Sequence, residues 1–287
     1  MANASEKLLK TYGRCLFGTN FAISRPFALP GCRLIANGWY HLSDSRHVPP
    51  PEVRPLYVAF HINNVEDAQK FPNLLSRLKA QSRETPVGCR DLGTWRFLRQ
   101  AGVESYFSSC LTTTLERGRF THAGERRGVV FADFIPDGRR RVFPLNRFIA
   151  DALNALRIRR IVGHYDDDGV VTTTTHECPL AVSHEERFRL AENLLRTYAE
   201  ARLVITSRIH AALPCLALGT PVILVTKYDE RRFEGLGDLL NRVYLDRPAK
   251  NKIERDDAGN VVNPEAYKAY AEKLRQACTA YIGGASR

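Results

Sequence analysis

The stretch RLVITSRIHAALPCLALGTPVILVT, residues 202–226, limits the folds open to this chain more than any other. RLVITS and PVILVT are short runs of branched apolar residues, the pattern of strands buried on both faces. Between them HAALPCLAL reads as a short buried helix, with Gly219 as its C-terminal stop. A strand, a helix and a second strand joined this tightly form a βαβ unit, whose two strands are parallel. Arg208 and His210 then fall just past the carboxyl end of a strand and at the start of a helix.

The rest of the chain repeats this grammar. Apolar runs bounded by turn signals predict strands at 33–38, 56–62, 86–90 and 128–134, besides 202–207 and 221–226. Phe188, Ala191, Leu194, Leu195 and Tyr198 recur at helical spacing. In LGTWRFLRQAGV, Thr94 is suited to cap a helix that stops at Gly102, and Pro264 to open a final helix ending on two glycines. Alternating strands and helices predict an α/β protein with parallel sheets. The charged, glycine-containing HAGERRG suggests a boundary near 125. The expected organisation is an N-terminal α/β domain, 1–125, and a C-terminal one, 126–287, facing one another across a cleft.

Composition narrows the partners. The formal charge of +11 favours anions: phosphorylated small molecules, an acidic membrane surface or nucleic acid. The arginines are spread along the chain without any nucleic-acid-binding motif, which argues against nucleic acid. No apolar run reaches the ~18 residues of a membrane span, and MANASEKLLKTYGR lacks the apolar segment of a secretory signal. Seven scattered cysteines with no CxxC pair argue against a disulfide framework and a zinc cluster. A cytoplasmic protein is expected.

The carboxyl edge of a parallel sheet is where open α/β folds bind ligands. A helix N-terminus there offers unpaired N–H groups to anions, and a guanidinium adds a bidentate fork. Arg208 with His210 is therefore the leading candidate; the structural alternative is an arginine paired to a buried carboxylate and a helix-capping histidine. Arg90 stands at an equivalent edge in TPVGCRDLGTWRFLRQAGV, where Asp91 orients it or caps the helix. An arginine at the ligand edge of each half makes a cleft suited to a multiply charged anion. CLTTTL (110–115) reads as a threonine-rich strand or as hydroxyls lining the same cleft. DDDG (166–169) reads better as a hairpin turn than as a metal motif. His61 and His176, near strand ends, read as structural histidines. Walker A, GxGxxG, GxSxG and HExxH patterns are absent.

ANGWYH, PLYVAFHIN, VGCRDLGTWRFLRQAGVESYFSSCLTTTL and RLVITSRIHAALPCLALGTPVILV together resemble the polysaccharide pyruvyl transferase family, over about Leu34 to Leu240. The resemblance implies a glycosyltransferase-B-like fold of two Rossmann-like halves. It also implies transfer of the enolpyruvyl unit of phosphoenolpyruvate to a sugar, leaving a cyclic pyruvate ketal. The family's donor-binding arginine corresponds to Arg90, and its Arg-Leu-His motif to Arg208, Ile209 and His210. The Gly-Asp segment with which members open is not found before Gly31, so the resemblance implies a shortened N-terminal half.

On this reading Arg90, Arg208, Ile209 and His210 bind phosphoenolpyruvate, Arg208 and His210 are catalytic, and His210 is the general acid. The acceptor is a glycan or lipid-linked oligosaccharide. No metal or cofactor is expected beyond the donor substrate, and peripheral association with an anionic membrane is. Two rival readings stand beside it: a nucleotide-sugar glycosyltransferase of the same fold, and a non-catalytic glycan- or anion-binding relative.

Overall fold

The computed structural model describes residues 33–40, 54–62, 72–122, 124–133, 156, 168–178, 182–226, 231–245 and 247–283. They fall into two compact units, one within Met1–Leu111 and Tyr270–Arg287, the other within Thr112–Ala269. Both are α/β, and every paired strand is parallel.

In the first unit, β1 (Arg33–Ala36) pairs with β3 (Arg54–Tyr57), β2 (Trp39–Tyr40) with β4 (His61–Ile62), and β5 (Val87–Cys89) with β6 (Ser105–Phe107). An isolated parallel bridge, Phe60–Cys89, links the segment between β3 and β4 to β5. Helix α1 (Pro72–Ser82) connects β4 to β5, and α2 (Leu92–Gln100) connects β5 to β6. Leu78 of α1 and Phe97 and Leu98 of α2 pack with Tyr57, Phe60, Ile62 and Val87 in one core. The expected strand at 56–62 is interrupted. Ala59 takes a left-handed φ of 51° and its N–H donates to Ser108 Oγ at 3.2 Å, which breaks the ladder between β3 and β4.

The second unit holds a five-stranded sheet of β7 (Arg127–Ala132), β8 (Val171–Thr174), β9 (Ala201–Thr206), β10 (Val222–Thr226) and β11 (Asn241–Tyr244). Their order is β11-β10-β9-β7-β8. Helix α3 (His184–Glu200) precedes β9, and α4 (Ile209–Leu218) links β9 to β10 as the sequence predicts. Val129, Phe131, Leu203, Ile205, Ile223, Val225 and Val243 fill the core on one face. Val130, Val204, Val222 and Leu224, at the alternate positions, are buried too. Burial on both faces explains why these strands read as unbroken apolar runs. Gly219 ends α4 at φ 66°, a left-handed cap that glycine adopts without strain.

The final helix, α5 (Tyr267–Gly283), starts three residues after Pro264. Its Leu274, Cys278 and Tyr281 pack against Ile35, Leu56 and Val58, so this helix completes the core of the first unit. The expected division at 125 kept that helix with the second half. Periodicity gave the helix but not the surface it covers. CLTTTL forms a 3-10 turn at Leu111–Thr114 rather than a strand. Among the described residues no helix is long and apolar enough to cross a membrane.

Candidate functional site

The strand order of the second unit singles out one place on its sheet. After β7 the chain continues to β8 on one side, whereas after β9 it continues to β10 on the other. The carboxyl ends of β7 and β9 therefore flank a topological switch point, the position at which open α/β sheets bind ligands. Asp133 follows β7 there, Ser207 and Arg208 follow β9, and Thr175 and His176 follow the neighbouring β8.

The loop after β9 is tied to the end of β7. Thr206 Oγ1 donates to the Ala132 carbonyl at 2.7 Å and accepts from the Arg208 N–H at 3.0 Å. Ser207 Oγ donates to the Asp133 carbonyl at 2.6 Å. Arg208 is the N-cap residue of α4, and no side chain caps that first turn. The first half of the structural alternative is met, since Arg208 pairs with the buried carboxylate of Asp133; His210 lies exposed in the first turn of α4, and Ile209 is buried. First-turn N–H groups lack intrahelical partners and carry the positive end of the helix dipole.

Asp133 is the hub. It is 7% exposed and holds a left-handed φ of 44°, a region that Asp enters more readily than most residues. Its Oδ1 accepts from Thr175 Oγ1 at 2.8 Å. Its Oδ2 accepts from the His176 N–H at 3.1 Å and lies 2.6 Å from His176 Nδ1 and 3.2 Å from Arg208 Nε. Burial alone would raise its pKa. The hydrogen bonds from His176 and Thr175 outweigh burial and hold the carboxyl well below the usual carboxylate range.

The other ring nitrogen of His176, Nε2, is 3.3 Å from the hydroxyl of Tyr198 on α3. Burial pushes that phenol's pKa up. A carboxylate only accepts, so the Nδ1 of His176 presents its N–H to Asp133. Arg208, with 42% of its side chain exposed, is anchored at Nε and reaches outward from this network. The arrangement can hold an anion: an anchored guanidinium beside the N-terminus of a buried helix.

In the first unit Arg90 follows β5 and is buried, its N–H donating to the Phe60 carbonyl at 2.9 Å. Asp91, rather than Thr94, is the N-cap of α2, and accepts from the Thr94 N–H at 2.8 Å and the Thr94 hydroxyl at 3.1 Å. His61 Nδ1 lies 2.6 Å from Asp91 Oδ2, and the two side chains are only 4% and 1% exposed. That sealed pair fits the structural reading of His61.

Asp168 and Gly169 do turn, with φ of 50° and 71°, and Asp168 pairs with Arg202 at 2.9 Å. The upstream arm of the expected hairpin, Asp166, Asp167 and the opening segment before Gly31 lie outside the described residues. Asp133, Thr175 and Tyr198 are additions that sequence reasoning did not find, and His176, bonded to Asp133 and Tyr198, keeps its structural reading within the network around Arg208. The available signal was slight: an aspartate closing the apolar run GVVFA.

A family model described as polysaccharide pyruvyl transferase matches residues 60–229, more than half of the chain. The match takes in Arg90, Asp133, His176 and the Arg208-Ile209-His210 segment. A search of curated proteins gave no match.

Proposed function

The chain belongs to the polysaccharide pyruvyl transferase family, and on that premise we propose that it transfers the enolpyruvyl unit of phosphoenolpyruvate to a hexose. The acceptor is a polysaccharide or lipid-linked oligosaccharide, and the products are a cyclic pyruvate ketal and phosphate. The observation that carries the reading is Arg208, anchored to Asp133 at the switch point of the sheet with its guanidinium partly exposed. The reading includes the family's glycosyltransferase-B-like fold, with parallel strand pairing in each unit.

Arg208 receives an anionic group of the donor, joined by the backbone N–H groups at Ile209 and His210. His210, exposed in the same turn, delivers a proton to the donor's methylene carbon. The adjacent carbon becomes cationic and one sugar hydroxyl adds to it, losing its proton. The second hydroxyl closes the ring as the carbon–oxygen bond to phosphate breaks. One proton enters at carbon, two leave the hydroxyls, and the balance departs with phosphate. General acid catalysis of this kind contributes about 10²–10⁴-fold, and charge stabilisation by arginine adds to it. Arg90 is assigned to anion binding from its own unit. The scheme requires no metal or cofactor beyond the donor. The charge of +11 would favour an anionic membrane surface where the acceptor is lipid-linked.

The test is a phosphate-release assay with phosphoenolpyruvate and a panel of hexose-bearing acceptors. Transfer that survives in both Arg208→Ala and His210→Ala sinks the site assignment. Thermal stabilisation by phosphoenolpyruvate, and none by nucleoside diphosphates, separates this reading from a nucleotide-sugar glycosyltransferase. Saturable donor binding without turnover on any acceptor identifies a non-catalytic relative. Equal partitioning onto neutral and anionic vesicles removes the membrane association.

A further inference from the structure

The geometry points to Asp133 and His176 as positioning residues that fix the Arg208 guanidinium for its anionic ligand, an inference that rests on the anion-binding role of Arg208 proposed above. Asp133 Oδ2 is shared between Arg208 Nε at 3.2 Å and His176 Nδ1 at 2.6 Å. A carboxylate fixed on several sides, by the Thr175 hydroxyl and by both the ring and backbone N–H of His176, has one orientation to offer Arg208. The Ser207 hydroxyl on the Asp133 carbonyl locks the backbone of the same loop. Arg208 is therefore held from both its main chain and its side chain, which removes rotamer freedom that anion binding would otherwise have to quench.

A proton-transfer role for the histidine is the natural rival, because an Asp–His pair is the usual way to build a general base. The geometry opposes it. In such a pair Nε2 has to face the reacting group, and here Nε2 meets the buried hydroxyl of Tyr198 at 3.3 Å. Of the two basic side chains on the carboxylate the guanidinium is the more open, 42% exposed against 30% for the imidazole. The pair His61–Asp91 is a useful contrast: its carboxylate caps α2, and both side chains are sealed from solvent.

Removing the charge of Asp133 separates positioning from simple electrostatics. Deleting a negative charge beside an anion site tightens binding on Coulombic grounds alone, whereas releasing the arginine loosens it. Asp133→Asn is the clean variant. Asn also tolerates the left-handed φ. Its neutral amide turns the charge-assisted bonds to Arg208 and His176 into weaker neutral ones, so the arginine is held less firmly while the backbone can keep its conformation.

The experiment is calorimetric titration of the full chain with phosphoenolpyruvate. Arg208→Ala serves as the control and should bind roughly 10- to 100-fold more weakly. Asp133→Asn and His176→Ala are expected to weaken binding about tenfold. His176→Asn, whose amide keeps a donor near the Nδ1 position but cannot transfer a proton, is expected to stay within about threefold of wild type. Unchanged or tighter binding by Asp133→Asn overturns the positioning role, and so does a His176→Asn variant as weak as His176→Ala. If Asp133→Asn fails to fold, the two His176 variants decide alone. Undiminished binding by Arg208→Ala, or no binding by the wild type, instead overturns the reading of Arg208 and takes the inference with it.

Discussion

Arg208 Nε lies 3.2 Å from Asp133 Oδ2, across the gap between two parallel strands whose chain connections run in opposite directions. One cationic side chain is thereby fixed at the switch point while 42% of it stays exposed. An arginine and a lysine are not equivalent in this place. Lysine has no Nε–H to give Asp133 while also presenting a planar fork to a ligand. Arg208→Lys is therefore expected to recover little of the binding lost in Arg208→Ala. Charge-assisted hydrogen bonds of this kind are worth about 1.5–3 kcal/mol, so phosphoenolpyruvate should bind roughly 10- to 100-fold more weakly to either variant. Calorimetry checks this, and a lysine variant with wild-type affinity would reduce the site to a bare point charge.

The depressed pKa of Asp133 links this site to acid stability. An ordinary aspartyl value is 3.8, and hydrogen bonds from His176 and Thr175 hold the folded value below it against the opposing effect of burial. The unfolded chain thus binds the proton more readily than the folded one. The stabilisation is complete above the unfolded pKa and is lost as pH falls through the folded one. Between pH 5 and about pH 2.5 the wild type should lose more stability than Asp133→Asn, and above pH 5 their profiles should run parallel. Melting curves followed by circular dichroism across that range give the comparison; parallel acid profiles would show that the carboxylate is not stabilised in the fold.

Much of the second unit was legible because its central strands are buried on both faces. LVIT and VILV can hardly be anything but interior strands, and Gly219 marks the end of the helix between them. The edge strand β8 hid itself: Val171–Thr174 is largely exposed, so no apolar run announces it. β11, Asn241–Tyr244, begins with two polar residues, and its burial comes from neighbours remote in sequence. Asp91 and Thr94 are both good capping residues three positions apart, and sequence offers no means of ranking them until the β5–α2 turn fixes which one precedes the helix. Asp133 is the harder case. Its role depends on donors from β8 and from the loop after β9, and nothing local in FADF foretells that those two segments flank it.

Asp91 itself should be costly to remove. It accepts the Thr94 N–H at the start of α2 and pairs with His61 in a site closed to water. Loss of an N-cap costs about 1 kcal/mol, and leaving a buried polar group without its partner adds roughly 1–3 kcal/mol. Asp91→Ala is thus expected to lose about 2–4 kcal/mol, and Asp91→Asn, still a capping residue, distinctly less. Urea titration of the two variants tests the order. Equal midpoints for wild type and Asp91→Ala would mean that the pair contributes nothing to the fold.

The cysteines offer a test of burial that requires no ligand. The thiolate is the reactive form, and burial pushes the Cys89 and Cys215 thiols well above their ordinary value, Cys89 further through the nearby Asp91 charge. Both side chains are also sealed from reagent, whereas Cys178 is exposed and Cys278 intermediate. Among the described cysteines, iodoacetamide at neutral pH, followed by peptide mapping, should therefore label Cys178 first and Cys278 more slowly. Cys89 and Cys215 should stay unmodified until denaturant is added. Raising the pH to 9 should speed labelling at Cys178 and leave the two buried thiols protected, since neither solvent access nor thiolate formation improves for them. Modification of Cys215 at the rate of Cys178 would mean that α4, and with it the start of the helix that carries His210, is not packed between β9 and β10.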